Sequence, residues 1–194
     1  MITTSFSTKT VATTNAVTTV EAKNHLRVDF AAAADNTYID SLVVSAQRQV
    51  EAFTNLVLND TTFYFKLSAF PANGIVLPFS PLKTLTSIKY YDSDNSQQTL
   101  ANTEYYYDIN EKPNVIRYVN SPPSTYDYRG DAVIVEFVVG YTTPDIIPPG
   151  LEHAIKLLLT DLYEHRTDLP REKFSAWKSL AYPYRVFHST SENK

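Results

Sequence analysis

Apolar residues recur at intervals of three and four near both ends of this sequence and at intervals of two in its middle, and no single secondary structure satisfies both periods. The chain must combine helices with a sheet. After Pro148-Pro149-Gly150, the residues Leu151, Ala154, Ile155, Leu158, Leu159, Leu162 and Tyr163 mark one helical face, while Glu152, His153, Lys156, Asp161 and Glu164 mark the other. That helix should stop before Pro170. Phe174 and Trp177 then predict one more short helix, closed by Tyr182-Pro183. Near the start, Thr18-Thr19-Val20-Glu21 reads as a capping box, in which the Thr hydroxyl accepts from a backbone N–H three residues on and the Glu reaches back. A short helix to about Arg27 follows from it. Asp35 is the expected N-cap of a second helix running to about Thr54, with Ile39, Leu42, Val43, Ala46, Val50 and Phe53 inward and Asp40, Gln47, Arg48 and Glu51 on the wet side.

Between these ends the period changes. Phe63, Phe65 and Leu67 alternate with Thr62, Tyr64 and Lys66, which is the pattern of a half-buried strand. Further short strands are expected at Gly74 to Leu77, Leu85 to Tyr91, Glu104 to Asp108, Val115 to Val119 and Ala132 to Val139. Turn-forming clusters separate them at Pro78 to Pro81, Asp92 to Ser96, Asn110 to Pro113 and Ser121 to Ser124. Close spacing with no helical pattern in between means antiparallel pairing. The fold class expected is α+β: an N-terminal helical pair, a long C-terminal helix with a short one after it, and a small antiparallel β unit inserted between them. Residues 1–17 are Thr-rich, without periodicity, and are expected to be a flexible arm; 18–187 form one domain, with 18–57 helical, 61–140 β and 148–187 helical; and 188–194 form a loose terminus.

Composition removes several functions. Seventeen Lys and Arg against 21 Asp and Glu give a formal net charge of -4, so no overall basic field draws in nucleic acid. The chain has no cysteine, which excludes disulfides, thiolate nucleophiles and cysteine-based metal sites. No apolar run approaches the roughly 18 residues of a membrane span. Eight Ser or Thr in the first 16 residues leave no room for a signal-peptide core, so a soluble protein made and kept in a cytoplasm is expected. Only four glycines are present, leaving few phosphate-cradling loops.

The candidate chemistry is sparse. Histidines stand at 25, 153, 165 and 188. Asp161 and His165 share a helical face with Glu164 adjacent, but two ligands make no catalytic site and no HExxH occurs, so a solvated helical face is expected. A small metal-dependent hydrolase using His153, Asp161, Glu164 and His165 is nevertheless the enzyme alternative, and stoichiometric metal raising the melting temperature would reveal it. Asp92-Ser93-Asp94-Asn95 starts like a calcium loop but has Gln97 where Gly is needed and Thr103 where Glu is needed, so a hairpin turn is expected. GxSxG, GxxxxGK[ST] and GxGxxG are all absent. The 14 tyrosines include Tyr90-Tyr91 and Tyr105-Tyr106-Tyr107, which in strands must point to both faces, half of them into the core. A carbohydrate-binding β module on the exposed tyrosines is a third reading, which a glycan array would expose; protein interfaces, where Tyr is enriched, suit them better.

The order of several short stretches resembles a known family. These are Val20 to Asp29, Asp35 to Ile39, Ala46 to Glu51, Leu77-Pro78 with Pro81-Leu82, Ile88 to Asp92, Ala132-Val133 to Gly140-Tyr141, Ile147-Pro148 to Ala154-Ile155, Tyr163 to Arg166, and Leu180 with Pro183 to Val186. Together they resemble the head-tail connector (adaptor) proteins of tailed bacteriophages, also found in prophages and gene transfer agents, over about 18–187. The resemblance implies a structural virion protein and no enzyme, without cofactor or metal. It implies a ring of copies, dodecameric like the portal, that docks below the portal at the head-tail junction after DNA packaging. Such a ring extends the DNA channel, which DNA passes without specific binding, and offers a platform for the next neck (stopper) or tail-completion protein. Assembly would take place in the host bacterial cytoplasm, with no membrane involved. The end of the chain is implied to contact the portal. Trp177, Leu180, Tyr182, Tyr184, Arg185, Val186 and Phe187 crowd aromatic and apolar area beside Lys178 and form the expected docking segment. The alternative for that segment is a lid folded back over the long helix.

Overall fold

The computed structural model describes residues 2–11, 15–28, 34–141, 146–165 and 175–187. In chain order the elements are β1 (Thr4–Val11), α1 (Thr19–Leu26), α2 (Ala34–Thr54), β2 (Thr61–Leu67), β3 (Ile75–Val76), β4 (Leu82–Tyr91), β5 (Gln97–Thr99), β6 (Tyr105–Tyr107), β7 (Val115–Tyr118), β8 (Val133–Val139), α3 (Pro149–Glu164) and α4 (Ala176–Ala181), with a 3₁₀ turn over Tyr182–Tyr184. The class is α+β. Where one domain is expected over 18–187, the chain divides into two compact units, a β unit of 1–11, 60–142 and 186–194 and a helical unit of 12–59 and 143–185.

In the β unit a five-stranded sheet runs β1-β2-β8-β4-β5 and a three-stranded sheet runs β3-β7-β6, with every pairing antiparallel. The alternation in the sequence becomes register. Phe63 pairs with Phe137, Phe65 with Val135 and Leu67 with Val133, so one face of the two central strands is buried in step. The rings of Phe63 and Phe137 stack at 6.1 Å and Phe79 stacks on Phe63 at 4.5 Å. In β4 the buried residues are Leu82, Leu85 and Ile88, spaced by three. That spacing is compatible with a strand because two register shifts against β8, between Leu82 and Thr84 and between Leu85 and Ser87, each absorb an extra residue. The polar centre of the unit is Asn114, which is fully buried. Its Oδ1 accepts from the Leu82 N–H at 3.0 Å and the Ser80 hydroxyl at 3.1 Å, and its Nδ2 donates to the Asp108 carbonyl at 3.1 Å.

The flexible arm expected over residues 1–17 is corrected here. Thr4–Val11 is a strand that pairs along the whole of β2, from Thr4 opposite Leu67 to Val11 opposite Thr61. Its Ser and Thr residues hide no apolar stripe for a sequence reading to detect, because an edge strand can be held by its backbone ladder alone. As a result the chain opens with a strand rather than with the helical pair, and β5 also was not expected.

The helical unit starts as the sequence predicts. Thr18 caps α1: the Glu21 N–H donates to the Thr18 hydroxyl at 3.2 Å, and the Thr18 N–H donates to the Glu21 carboxylate at 2.8 Å. The Thr18 N–H and the Thr18 hydroxyl, the latter at 2.8 Å, both donate to the Glu21 carboxylate and hold it below its usual pKa. Arg27 closes the helix in the left-handed region, at φ 56°. Asp35 lies in the first turn of α2 rather than capping it, a position where the helix dipole still favours its charge. Ile39, Val43, Ala46 and Val50 are buried as expected, and so are Leu151, Ala154, Ile155, Leu158 and Leu159 of α3. Gln47 and Glu51, expected on the wet side of α2, are buried. They are there to satisfy backbone: Gln47 Oε1 accepts from the Ala16 N–H at 2.9 Å, Glu51 Oε1 accepts from the Leu58 N–H at 3.0 Å, and Gln47 Nε2 donates to that same oxygen. Pro170, Phe174 and the expected loose end at 188–194 lie outside the described residues.

Candidate docking surface

From Trp177 to Arg185 the segment belongs to the helical unit, while Val186 and Phe187 belong to the β unit. Trp177 is buried, with its ring edge against Phe53 of α2 at 5.5 Å. The Arg185 guanidinium lies over the same Phe53 ring at 5.1 Å, so Trp177 and Arg185 of the segment both pack on Phe53. Tyr184 lies on Gly150 in the first turn of α3. A Cβ at residue 150 would fall 2.8 Å from the Tyr184 hydroxyl oxygen and 2.9 Å from its ring, so any other residue there would require the Tyr184 side chain to shift. The lid expected as the alternative for this segment is therefore present over part of its length.

Of the seven residues expected to dock, the structure buries Trp177 and Val186 and half-buries Leu180, Tyr184 and Arg185. Tyr182 is 58% exposed and Phe187 is 60% exposed. Trp177 was expected to be an anchor for a partner, but its indole is used in packing this unit's own core. The exposed aromatic residues of the segment are thus Tyr182, in the helical unit, and Phe187, in the β unit.

The histidines separate. His153 faces His25 of α1, with ring centroids 6.2 Å apart and edge to face. Burial, and then the neighbouring His153 and Lys156, lower the pKa of His25. Asp161 and His165 meet at 3.2 Å near the C-terminal end of α3. Among the described residues no three His, Asp or Glu come together to hold a metal ion, so the four residues of the hydrolase alternative do not converge. The Asp92 loop is a hairpin turn: Asp92 Oδ1 accepts from the backbone N–H of Asp94 and of Ser96, and Asn95 takes φ 59°.

Several of the tyrosines are engaged within the β unit. The Arg129 guanidinium covers the Tyr91 ring at 3.7 Å while its fork binds Asp131, and Tyr90 packs edge-on to Phe70. In β6 only Tyr106 is exposed, and Tyr105 and Tyr107 are half-buried rather than core. Among the described residues the most exposed large aromatic one is Tyr128, at 90%, which is edge to face with Tyr126 in the loop before β8. The sequence reading passed over Tyr128, Phe6 and Lys9. Phe6 is 57% exposed and touches Phe79, and Lys9 binds Glu136 of β8 at 2.6 Å.

No helix of the described chain is long and apolar enough to cross a membrane. A β unit with two antiparallel sheets and a helical unit define an α+β fold. No family model matches the sequence, and no curated protein matches it. Solved structures do match the fold. A chain in a structure described as the virion of a native gene transfer agent (GTA) particle superposes with a TM-score of 0.81 at 21% identity, covering 97% of this chain and 99% of that one. A chain in the neck of an empty GTA particle, computed with C6 symmetry, gives 0.80 at 21% identity over 98% and 100%. A chain in the neck of a native GTA particle, computed with C12 symmetry, gives 0.73 at 20% identity over 98% and 100%.

Proposed function

We propose that this chain is a structural neck protein of a phage-like particle, the head-tail connector (adaptor) subunit at the head-tail junction. The observation that carries this reading is the end-to-end likeness to chains of GTA particles: 97–98% of this chain matches 99–100% of theirs, with no domain left over on either side. A likeness confined to one helical pair or one sheet would have carried little. In this reading twelve copies form a ring below the portal, extend the DNA channel and give the next neck (stopper) or tail-completion protein its platform. The C12 and C6 symmetries of the similar necks support the ring. The formal net charge of -4 supports passage of DNA without specific binding, since each phosphate held by a cation would add affinity and drag. Tyr182 and Phe187 are the proposed contacts to the portal, as the exposed part of the segment after α4.

Particles from a host in which the gene is disrupted test the reading. The expected result is DNA-filled heads without tails, with complementation restoring a ring of this chain between portal and tail. Normal tailed particles in its absence, or localisation of the chain to the capsid shell or the tail tube, would overturn it.

A further inference from the structure

We infer that β1 is an exchangeable arm: in the assembled ring, residues 4–11 of each subunit pair with β2 of a neighbouring copy and bind the ring together. The inference rests on the ring reading above and adds how the ring is closed. In the structure of the single chain the same segment lies on its own β2 edge, and four features make the exchange nearly neutral in energy.

First, the pairing is remote in sequence. Val11 lies opposite Thr61, so the chain leaves the β unit after β1, builds α1 and α2, and returns at residue 60. No hairpin turn therefore ties the arm to its own β2, and pairing with the β2 of a neighbour held at high effective concentration in a ring breaks none. Second, the arm contributes almost no buried side chain. Thr4 to Thr10 are all exposed, and even Phe6, opposite the buried Phe65 and hence on its face of the sheet, remains 57% exposed. What holds the arm is a backbone ladder, which any copy of β1 makes equally well with any copy of β2.

Third, the slot is specific for this sequence. The register shifts between Thr8 and Thr10, setting Lys9 apart from the regular ladder. Its ammonium reaches across the sheet to Glu136 of β8 at 2.6 Å and lies 5.3 Å from the centre of the Tyr64 ring. At the other end of the arm Phe6 meets Phe79 edge to face at 5.0 Å. One cation, one acid and one aromatic pair thus define which strand enters and in which register. Fourth, the helical unit grips the chain immediately after the arm. Ala16 and Val17 are buried and the Ala16 N–H donates to the buried Gln47, so residue 16 stays with its own helices whichever β2 the arm occupies. Domain swapping needs this combination: an identical element, a fixed point beside it and a slot that is the same in every copy.

The chain has no cysteine, so introduced thiols are the only ones present. Ser5 lies opposite Lys66. A Ser5→Cys subunit and a Lys66→Cys subunit are co-expressed, assembled into particles, and treated with a short bis-maleimide. Exchange predicts a covalent species of twice the 21.9 kDa subunit mass that contains one chain of each variant, and a ladder of higher multiples from the double variant Ser5→Cys/Lys66→Cys. Subunits that have not assembled should crosslink only within one chain. Ser7→Cys with Tyr64→Cys, the next pair on the same face, repeats the test where the first pair impairs folding. Rings visible by electron microscopy in which both pairs crosslink only within single chains would overturn the exchange and leave the ring standing. Particles whose neck contains no ring of this chain would overturn the ring reading, and the exchange with it.

Discussion

At the residue scale, the groups that matter most are those that satisfy buried backbone. Asn114 ties the start of β4 to the turn before β7, and no apolar side chain could replace it. Asn114→Ala leaves the Leu82 N–H and the buried Ser80 hydroxyl without their acceptor, and should cost about 1 to 3 kcal/mol per group left buried without a partner. Chemical denaturation would measure this, and a loss under about 0.5 kcal/mol would mean water replaces the amide. Histidine 25 makes the stability of the helical unit depend on pH. Its folded pKa is lowered by burial, then by His153 and Lys156, so the unfolded chain takes up the proton more readily. The stability that neutral His25 contributes is complete above the unfolded value of about 6.5 and is lost as pH falls through the depressed folded value. Thermal melts at a series of pH values should therefore show Tm dropping below about pH 6.5, and His25→Gln should flatten that drop. An equally steep profile in the variant would assign the drop to other groups.

Elements differ in what holds them. In α3, Leu158 is fully buried at the middle of the apolar stripe, and Leu158→Ala should cost about 2 to 5 kcal/mol in denaturant unfolding. Leu159 should behave alike. Within the five-stranded sheet, β8 lies between two partners and buries alternate residues Val133, Val135, Phe137 and Val139, while β1 lies at the edge with the side chains of Thr4 to Thr10 exposed. Hydrogen exchange should accordingly protect the amides of Val133–Val139 most and release those of Thr4–Val11 orders of magnitude sooner. Equal protection of the two strands would show that β1 opens only with the whole unit. Element boundaries were legible wherever one period held over several residues, as in β2, β8 and α3. The start of β4 was not: Leu82, Leu85 and Ile88 follow a spacing of three, and only the pairing with β8 reveals the two bulges that reconcile it with a strand.

For the whole molecule, docking should depend on side chains rather than on the presence of the C-terminal segment. Tyr184 packs on Gly150 and Val186 is buried, so truncation from Tyr184 would remove structure along with surface. The double variant Tyr182→Ser/Phe187→Ser avoids this. It should keep Tm within a few degrees and yet fail to join portal-containing heads, because exposed aromatic residues contribute to an interface far more than to the fold of the free subunit. Tailed particles at the normal yield from this variant would place the portal contact elsewhere.

The sequence by itself determined the class of fold, the capping box, the α3 stripe and the alternation of β2 and β8, because in each case one face of a local element must leave water and the period of that face is written in consecutive residues. It also pointed to the segment from Trp177 to Phe187. Which of those residues face outward was a tertiary decision: an indole is equally suited to an interface and to a core, and only the position of Phe53 settles that Trp177 is inside. The same holds for Gln47 and Glu51, whose polar character marked them for solvent until the Ala16 and Leu58 N–H groups arrived beside them. Strand β1 shows the limit most clearly. Its ladder is made by backbone atoms that every residue carries, with a partner some fifty residues away in sequence, so its eight residues contain no local trace of where they go.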